Sequence, residues 1–420
     1  MNILITGASG LVGSALTARL SHAGHHVTAV CRRPIECQAA GIQWLAGDMA
    51  HLSDAADWYA MLDGIDVVVN AVGIFRQHGT QTFANLHTDA PRALFEACVT
   101  CGVTRVVQVS ALGASPTAVT EYWRSKGAAD ASLQTQPLDW VIVQPSLVYA
   151  DEGVSSKLFR SLAALPFLVA PAQAGPVQPI HLDDLTELLF NVCTTDAANH
   201  LIIKAVGPRA LAWSDYLAAL REGMGMPRTA HLCVPRALMA GLAHLAGKLP
   251  GSLLNPASLY MLAAGSVADA GPIIALVGPM REPKNFAHPT LRADAVLAAW
   301  HPLIRTALVL LWLGTALVSV LSPQTSMALL AEAKVPADWM PVALYAGIAL
   351  DTALGLATLL RPRRRLWRAQ WMLVMAYTGI ITAVMPAWWL HPFGPVLKNL
   401  PILVFLGLLD QLETDPPQTR

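Results

Sequence analysis

Over the first 150 residues, short apolar runs alternate with segments of helical period. Asn2 to Thr6 is a continuous apolar run of strand length. A glycine-punctuated turn follows, and Leu11 to Ala23 repeats its apolar positions at helical spacing until Gly24 stops it. His26–Val30, Ile42–Leu45, Asp66–Asn70, Arg105–Ser110 and Trp140–Gln144 read as further strands, with helices over Thr88–Val99 and Tyr122–Thr135. β-Branched runs separated by helices predict βαβ units, hence an α/β fold with a doubly wound parallel sheet. In such a sheet a ligand lies at the carboxyl ends of the strands. From about 151 the pattern changes. Leu158–Phe167 reads as helix, Leu201–Val206 as strand, and Trp213–Gly223 as a helix with Ser214 at its N-cap. Val234–Leu249 and Leu259–Val277 are apolar with few charges.

Four apolar stretches close the chain: Leu303–Leu321, Val342–Leu360, Trp371–Leu390 and Val396–Leu409. A bilayer span takes ~20 apolar residues, so the first three are long enough and the fourth is marginal. They predict an all-α, four-helix transmembrane bundle. The expected organisation is a nucleotide-binding domain over 1–230 with substrate-lobe insertions from about 151. A helical remainder and connector covers 231–301, the membrane domain 302–412, and a polar tail 413–420.

Composition sharpens this division. Of 420 residues 54% are hydrophobic and only 13% charged, which excludes an intrinsically disordered chain. From Thr306 to Leu360 the charges are only Glu332, Lys334, Asp338 and Asp351. With 28 basic and 28 acidic residues the net charge is zero, so no nucleic-acid partner is expected. Met1–Thr6 reads as a buried strand and not as a secretory leader, so reduced thiols are expected. Cys98 and Cys101 have redox or zinc-knuckle spacing but no second pair. They read as small core residues, and no metal centre is expected. Five arginines crowd 361–368, between the second and third stretches, whereas 322–340 has no arginine and one lysine. The positive-inside rule then predicts a multi-pass protein of the cytoplasmic (inner) membrane. The N-terminal domain, the 361–368 loop and the C-terminus would all lie on the cytoplasmic side. Those arginines also suit anionic headgroups.

The first strand runs into Gly7-Ala8-Ser9-Gly10-Leu11-Val12-Gly13. Glycines at 7, 10 and 13 between a strand and a helix suit a pyrophosphate. The first makes a tight turn, the second lets backbone approach the ligand, and the third allows helix–sheet packing at a positive helix N-terminus. After the second strand stand Arg32 and Arg33, which suit a 2′-phosphate and favour NADP(H) over NAD(H), although Glu36 is a competing acid nearby. Tyr122 and Lys126 are spaced i, i+4 on one helix face. The ammonium is expected to lower the phenol pKa, making Tyr122 an acid/base for hydride transfer, with Ser110 as the donor that orients the substrate oxygen.

These residues resemble a family. The 6–13 loop looks like the cofactor loop of extended and atypical short-chain dehydrogenases/reductases, a Rossmann family related to NAD-dependent epimerases/dehydratases. Asp48 stands where that family contacts adenine. Ala71-Val72-Gly73 follows the fourth strand beside the adenosine half, Pro145-Ser146 stands near the nicotinamide, and Lys126 would also hold the ribose. Pro179–Leu185 resembles the family's segment tying the substrate region to the core, with His181 structural and Asp183 and Asp184 capping the next helix. Ser110–Ala114 with Tyr122…Lys126-Gly127 is most similar to the branch of the complex I accessory subunit.

The tail, through Trp312–Thr315 and His391–Pro401, resembles the DoxX-like four-helix membrane family, whose relatives are associated with quinone-linked redox chemistry. Asp351 sits in mid-span, so it should face the bundle interior, be protonated, or pair, with Tyr377 or Thr378 as candidate partners. Together the resemblances imply a membrane-anchored NAD(P)H oxidoreductase acting on a small lipophilic carbonyl, alcohol or quinone. The alternatives are an NADPH-binding scaffold or redox sensor of a membrane complex, and a carrier working through the tail. The soluble helices and the spans both offer surfaces for homo-oligomerisation.

Overall fold

The computed structural model describes residues 1–34, 41–196, 198–247, 252–392 and 394–413. Glu36, Cys37, Phe393, Leu249 and most of the 413–420 tail lie outside them. The chain forms two compact units that part between Val296 and Leu297. The boundary falls inside the helix Arg292–Leu321, a few residues before the composition shift at His301-Pro302.

The first unit is built on seven parallel strands: β1 (Asn2–Thr6), β2 (His26–Cys31), β3 (Ile42–Ala46), β4 (Val67–Asn70), β5 (Arg105–Val109), β6 (Asp139–Pro145) and β7 (Leu201–Ala205). Their order is β7-β6-β5-β4-β1-β2-β3. Strand period explains the two cores. Ile3, Ile5, Val67, Val69, Val107 and Val143 point into the layer under Leu185 and Leu188. Leu4, Val68, Val106 and Ile142 point the other way, towards Leu94, Phe95 and Leu133. Helices α1 (Leu11–His22), α2 (Ala90–Thr100) and α3 (Glu121–Gln134) are the crossovers that position the site. The order reverses between β1 and β4, so the ligand crevice of such a sheet opens at their carboxyl ends.

The lobe after 151 departs from the periodicity in detail. The helix expected at Leu158–Phe167 is Val154–Ala163. The helix Trp213–Gly223 has Ala212 at its N-cap, without a side-chain cap, and Ser214 lies inside it. The apolar stretch 259–277 is two helices, Pro256–Ala264 and Gly271–Val277. They are broken at Gly265, whose φ of 79° favours glycine. The helix Leu182–Thr194 is capped by His181, which accepts from Asp183 N–H at 3.2 Å. Asp183 and Asp184 sit in its first turn and both pair with Arg281.

The second unit is helical. Two segments are long and apolar enough to cross a membrane, Pro289–Leu321 and Ala337–Leu360. Their outer faces are bare of protein, with Leu310, Leu317, Val318 and Leu321 all more than half exposed. The third stretch forms the helix Arg364–Val384, which takes in three of the loop's arginines, followed by a turn at Pro386–Leu390. The fourth is Asn399–Leu412, only 14 residues long. A buried polar chain links three of these helices. Trp312 Nε1 donates to Gln370 Oε1 at 2.8 Å, and Gln370 Nε2 donates to Thr358 Oγ1 at 2.8 Å. Asp351 accepts from Thr315 Oγ1 at 2.8 Å, while Thr378 instead accepts from Asn399.

Candidate functional site

The loop after β1 turns at Gly7, where φ is 68°. Gly10 N–H donates back to Gly7 O at 2.9 Å, closing the turn. A β-carbon on Gly7 would stand 3.0 Å from Val72 N, and one on Gly10 3.1 Å from Gly7 O. The loop therefore lies directly against Ala71-Val72 at the switch point, and Gly73 lies against Lys126. Ser9, Gly10 and Leu11 are exposed, and Gly10 caps α1 without a side chain. The amides of Leu11, Val12 and Gly13 thus remain as donors for an anion, since the first helical residues have no intrahelical partner. Bare glycine backbone facing a helix N-terminus fits a dinucleotide pyrophosphate.

The other predicted cofactor residues ring this cradle. Arg32 and Arg33 follow β2 and are exposed. Asp48 follows β3. Burial raises its pKa, but bonds from Ala50 N–H and Gln81 Nε2, with the nearby charges of His51 and Arg32, bring it below the usual carboxylate value. Pro145 ends β6, and Ser146 Oγ donates to Gln178 O at 2.5 Å.

The predicted catalytic residues meet at the ends of β4 and β5. Lys126 is buried on α3, and its ammonium donates to Val72 O at 2.9 Å and Val109 O at 3.0 Å. Burial pulls its pKa down to about 8 against the favourable charge of Asp130. Tyr122, one turn earlier, packs against Phe75, Phe83 and His87. Burial pushes its phenol up to about 12, opposite to the lowering expected from the lysine spacing. The reason lies in the partners of Lys126, which are two backbone carbonyls. Ser110 is buried, and its hydroxyl donates to Asp130 Oδ2 at 2.6 Å. Tyr122 also lines a cleft of about 300 Å³ with Phe75, Gln77, Phe83, Glu121 and Met261.

Sequence reasoning missed three contributors. His87 accepts from Ile74 N–H at 3.0 Å through Nε2, so Nδ1 carries the hydrogen and donates to Ser125 Oγ at 3.0 Å. Burial and the charge of Lys126 lower its pKa to about 2. Asp130 holds Ser110, and Arg76 ties the 71–77 loop to Ser252 O at 2.7 Å and Gly247 O at 3.2 Å. Asp130 was within reach of sequence reasoning, since it continues the Tyr122, Lys126 face by four residues. His87 and Arg76 are joined to their partners only by the fold.

Known proteins share both units. An NAD(P)H-binding family model matches residues 7–162, and a DoxX-like family model matches 309–407. A ceramide reductase of Caulobacter vibrioides is 26% identical over 244 residues, 57% of this chain and 76% of that one. Subunit 9 of the NADH dehydrogenase [ubiquinone] 1 alpha subcomplex from Dictyostelium discoideum is 22% identical over 52% of this chain, and the match spans 63% of that subunit. Among solved structures, a nucleoside-diphosphate-sugar epimerase from Staphylococcus aureus superposes with a TM-score of 0.56 at 18% identity, over 68% of this chain and 99% of its own. An NADPH-dependent quinone oxidoreductase from Escherichia coli, solved with NADPH, gives 0.54 at 18% identity, over 67% and 97%. At that identity the likeness establishes the fold. The chain joins an NAD(P)-binding Rossmann domain to a C-terminal DoxX-like domain.

Proposed function

We propose that this chain is a membrane-anchored, NADP(H)-preferring oxidoreductase of the short-chain dehydrogenase/reductase type. Its substrate is a lipophilic carbonyl, alcohol or quinone. One observation carries the reading: Tyr122 forms a wall of an aromatic cleft, one helical turn from a buried lysine at the ends of β4 and β5. When bound, the nicotinamide supplies or accepts the hydride. Gly7, Gly10 and the start of α1 would hold the pyrophosphate, Arg32 and Arg33 the 2′-phosphate, and Lys126 the nicotinamide ribose. Tyr122, neutral over the physiological range, would give its phenolic proton to the substrate oxygen. Phe75, Phe83 and Met261 would exclude water from an apolar substrate. The ceramide reductase and quinone oxidoreductase among the related proteins support this substrate class.

The membrane reading uses four spans with the Rossmann domain, 361–368 and the C-terminus in the cytoplasm. The five arginines of 361–368 support that orientation.

A second reading, an NADPH-binding scaffold or redox sensor, draws on Lys126 being bonded to backbone and on the raised phenol. The deciding measurement is the exchange of bound NADPH from the full chain in nanodiscs, chased with excess NADP. Turnover of ~1–10³ per second requires release in seconds or less. Exchange over hours would overturn the enzyme in favour of the scaffold.

A further inference from the structure

Thr6, Asn70, Gln108 and Gln144 stand on one face of the sheet, at the carboxyl ends of four adjacent strands. All four are buried. Thr6 Oγ1 donates to Asn70 Oδ1 at 2.7 Å, and Asn70 Nδ2 donates to Gln108 Oε1 at 2.8 Å. Ser110 and Asp130 extend this polar layer towards Lys126. Ser110 Oγ lies 2.6 Å from Asp130 Oδ2, and Gln144 Nε2 donates to the same oxygen at 3.1 Å. Asp130 is only 4% exposed, and its Oδ1 has no partner among the described residues.

Counting hydrogens gives the pair two states. A serine has one hydrogen. With Asp130 ionised, that hydrogen is committed to the carboxylate, and Ser110 has only lone pairs to offer a substrate oxygen. With Asp130 protonated, the acid donates to Ser110 Oγ and the serine hydrogen turns free. A separation of 2.6 Å suits either direction of a short bond between hydroxyl and carboxyl.

We propose that Asp130 is a positioning residue that carries a proton in the working protein and thereby makes Ser110 a hydrogen-bond donor to the substrate oxygen. This rests on the oxidoreductase reading. No proton leaves Asp130 in the cycle, because Tyr122 supplies the one taken up with hydride. The surroundings agree. Burial raises the Asp130 pKa against the lowering by Ser110, Gln144 and Lys126. Lys126 is the charged group that acts on it. Of the groups on elements packed against α3, His87 is neutral, and Asp89, Arg92 and Glu96 are exposed. Arg105 and Asp139 lie at the opposite strand ends.

The test uses the full chain in nanodiscs with NADPH. An infrared difference spectrum of wild type minus Asp130→Asn at pH 7 should contain the carbonyl stretch of a protonated acid, and that band should move in Ser110→Ala. Carboxylate bands alone would overturn the proposal, whether or not any substrate turns over. If Asp130→Asn fails to fold, the band and its Ser110→Ala shift are read in protein labelled with ¹³C-carboxyl aspartate. With a panel of medium-chain ketones and menadione, Ser110→Ala and Asp130→Ala should each lower kcat about 10²-fold. Asp130→Asn, whose amide can donate to Ser110, should recover most of that loss. A protonated band with Asp130→Asn as slow as Asp130→Ala would overturn the donor role. A protonated band with no reduction by any form would instead count against the oxidoreductase reading on which the donor role depends.

Discussion

A β-carbon on Gly13 would stand 2.3 Å from the carbonyl oxygen of Gly7. Both partners are backbone, so no side chain can swing away to make room. Gly13→Ala should therefore push the cofactor loop off α1. We expect loss of NADPH binding and a destabilisation of ~1–3 kcal/mol from overpacking. Gly10→Ala, which meets the same oxygen at 3.1 Å, should be milder. Thermal unfolding with and without NADPH reads both. Undiminished NADPH stabilisation of Gly13→Ala would mean that the dinucleotide binds elsewhere.

The exposed pair Arg32 and Arg33 should decide between cofactors. Replacing both with alanine is expected to weaken NADPH by about tenfold or more, the scale of a lost charge-assisted contact, and to leave NADH nearly unchanged. Fluorescence titration of the two nucleotides gives the ratio. Equal weakening of both would remove the arginines from 2′-phosphate recognition.

Tyr122→Phe keeps the aromatic packing against Phe75 and His87 and removes the proton. Turnover should fall ~10²–10⁴-fold with NADPH affinity preserved. A variant as active as wild type would transfer the acid role to another group.

His87 should shape acid stability. Its folded pKa is lowered from 6.5 to about 2, so below pH 6.5 the unfolded chain takes a proton that the folded one refuses. Stability then falls as pH drops from 6.5 towards 2, by up to ~1.4 kcal/mol per unit. His87→Gln can still accept from Ile74 N–H but does not titrate. Denaturant midpoints from pH 7 to 4 should show a shallower acid limb for the variant, and parallel limbs would contradict the assignment.

The parallel sheet was legible because Ile3, Val68, Val107 and Ile142 belong to short apolar runs cut by glycine turns. The glycine triplet was legible because its function is carried by spacing along the chain. The polarity of Tyr122 was not. An i, i+4 lysine predicts proximity, but the Lys126 ammonium has two carbonyls within reach, Val72 O just after β4 and Val109 O at the end of β5, and only the fold brings them there. Asp351 likewise bonds to Thr315, 36 residues back, on a helix whose rotation the sequence does not specify. The third apolar stretch differs in another way: charge alone marks Arg364, Arg365 and Arg368 as loop, yet they continue its helix.

Gln370 is buried between Trp312 and Thr358. Gln370→Ala would strand an indole N–H and a hydroxyl, costing ~1–3 kcal/mol. Unfolding of the full chain in detergent should register that loss, and a neutral result would indicate that water reaches the chain.

That same chain constrains how the bundle can change over time. In an apolar surround, a leucine at Gln370 leaves Trp312 and Thr358 without their partner, and a leucine at Trp312 or Thr358 leaves one end of the Gln370 amide unpaired, whereas replacing all three with apolar residues of similar volume leaves nothing of the chain unsatisfied. The three positions are therefore expected to vary as a set among related chains, so that a tail either keeps the whole trio or has none of it.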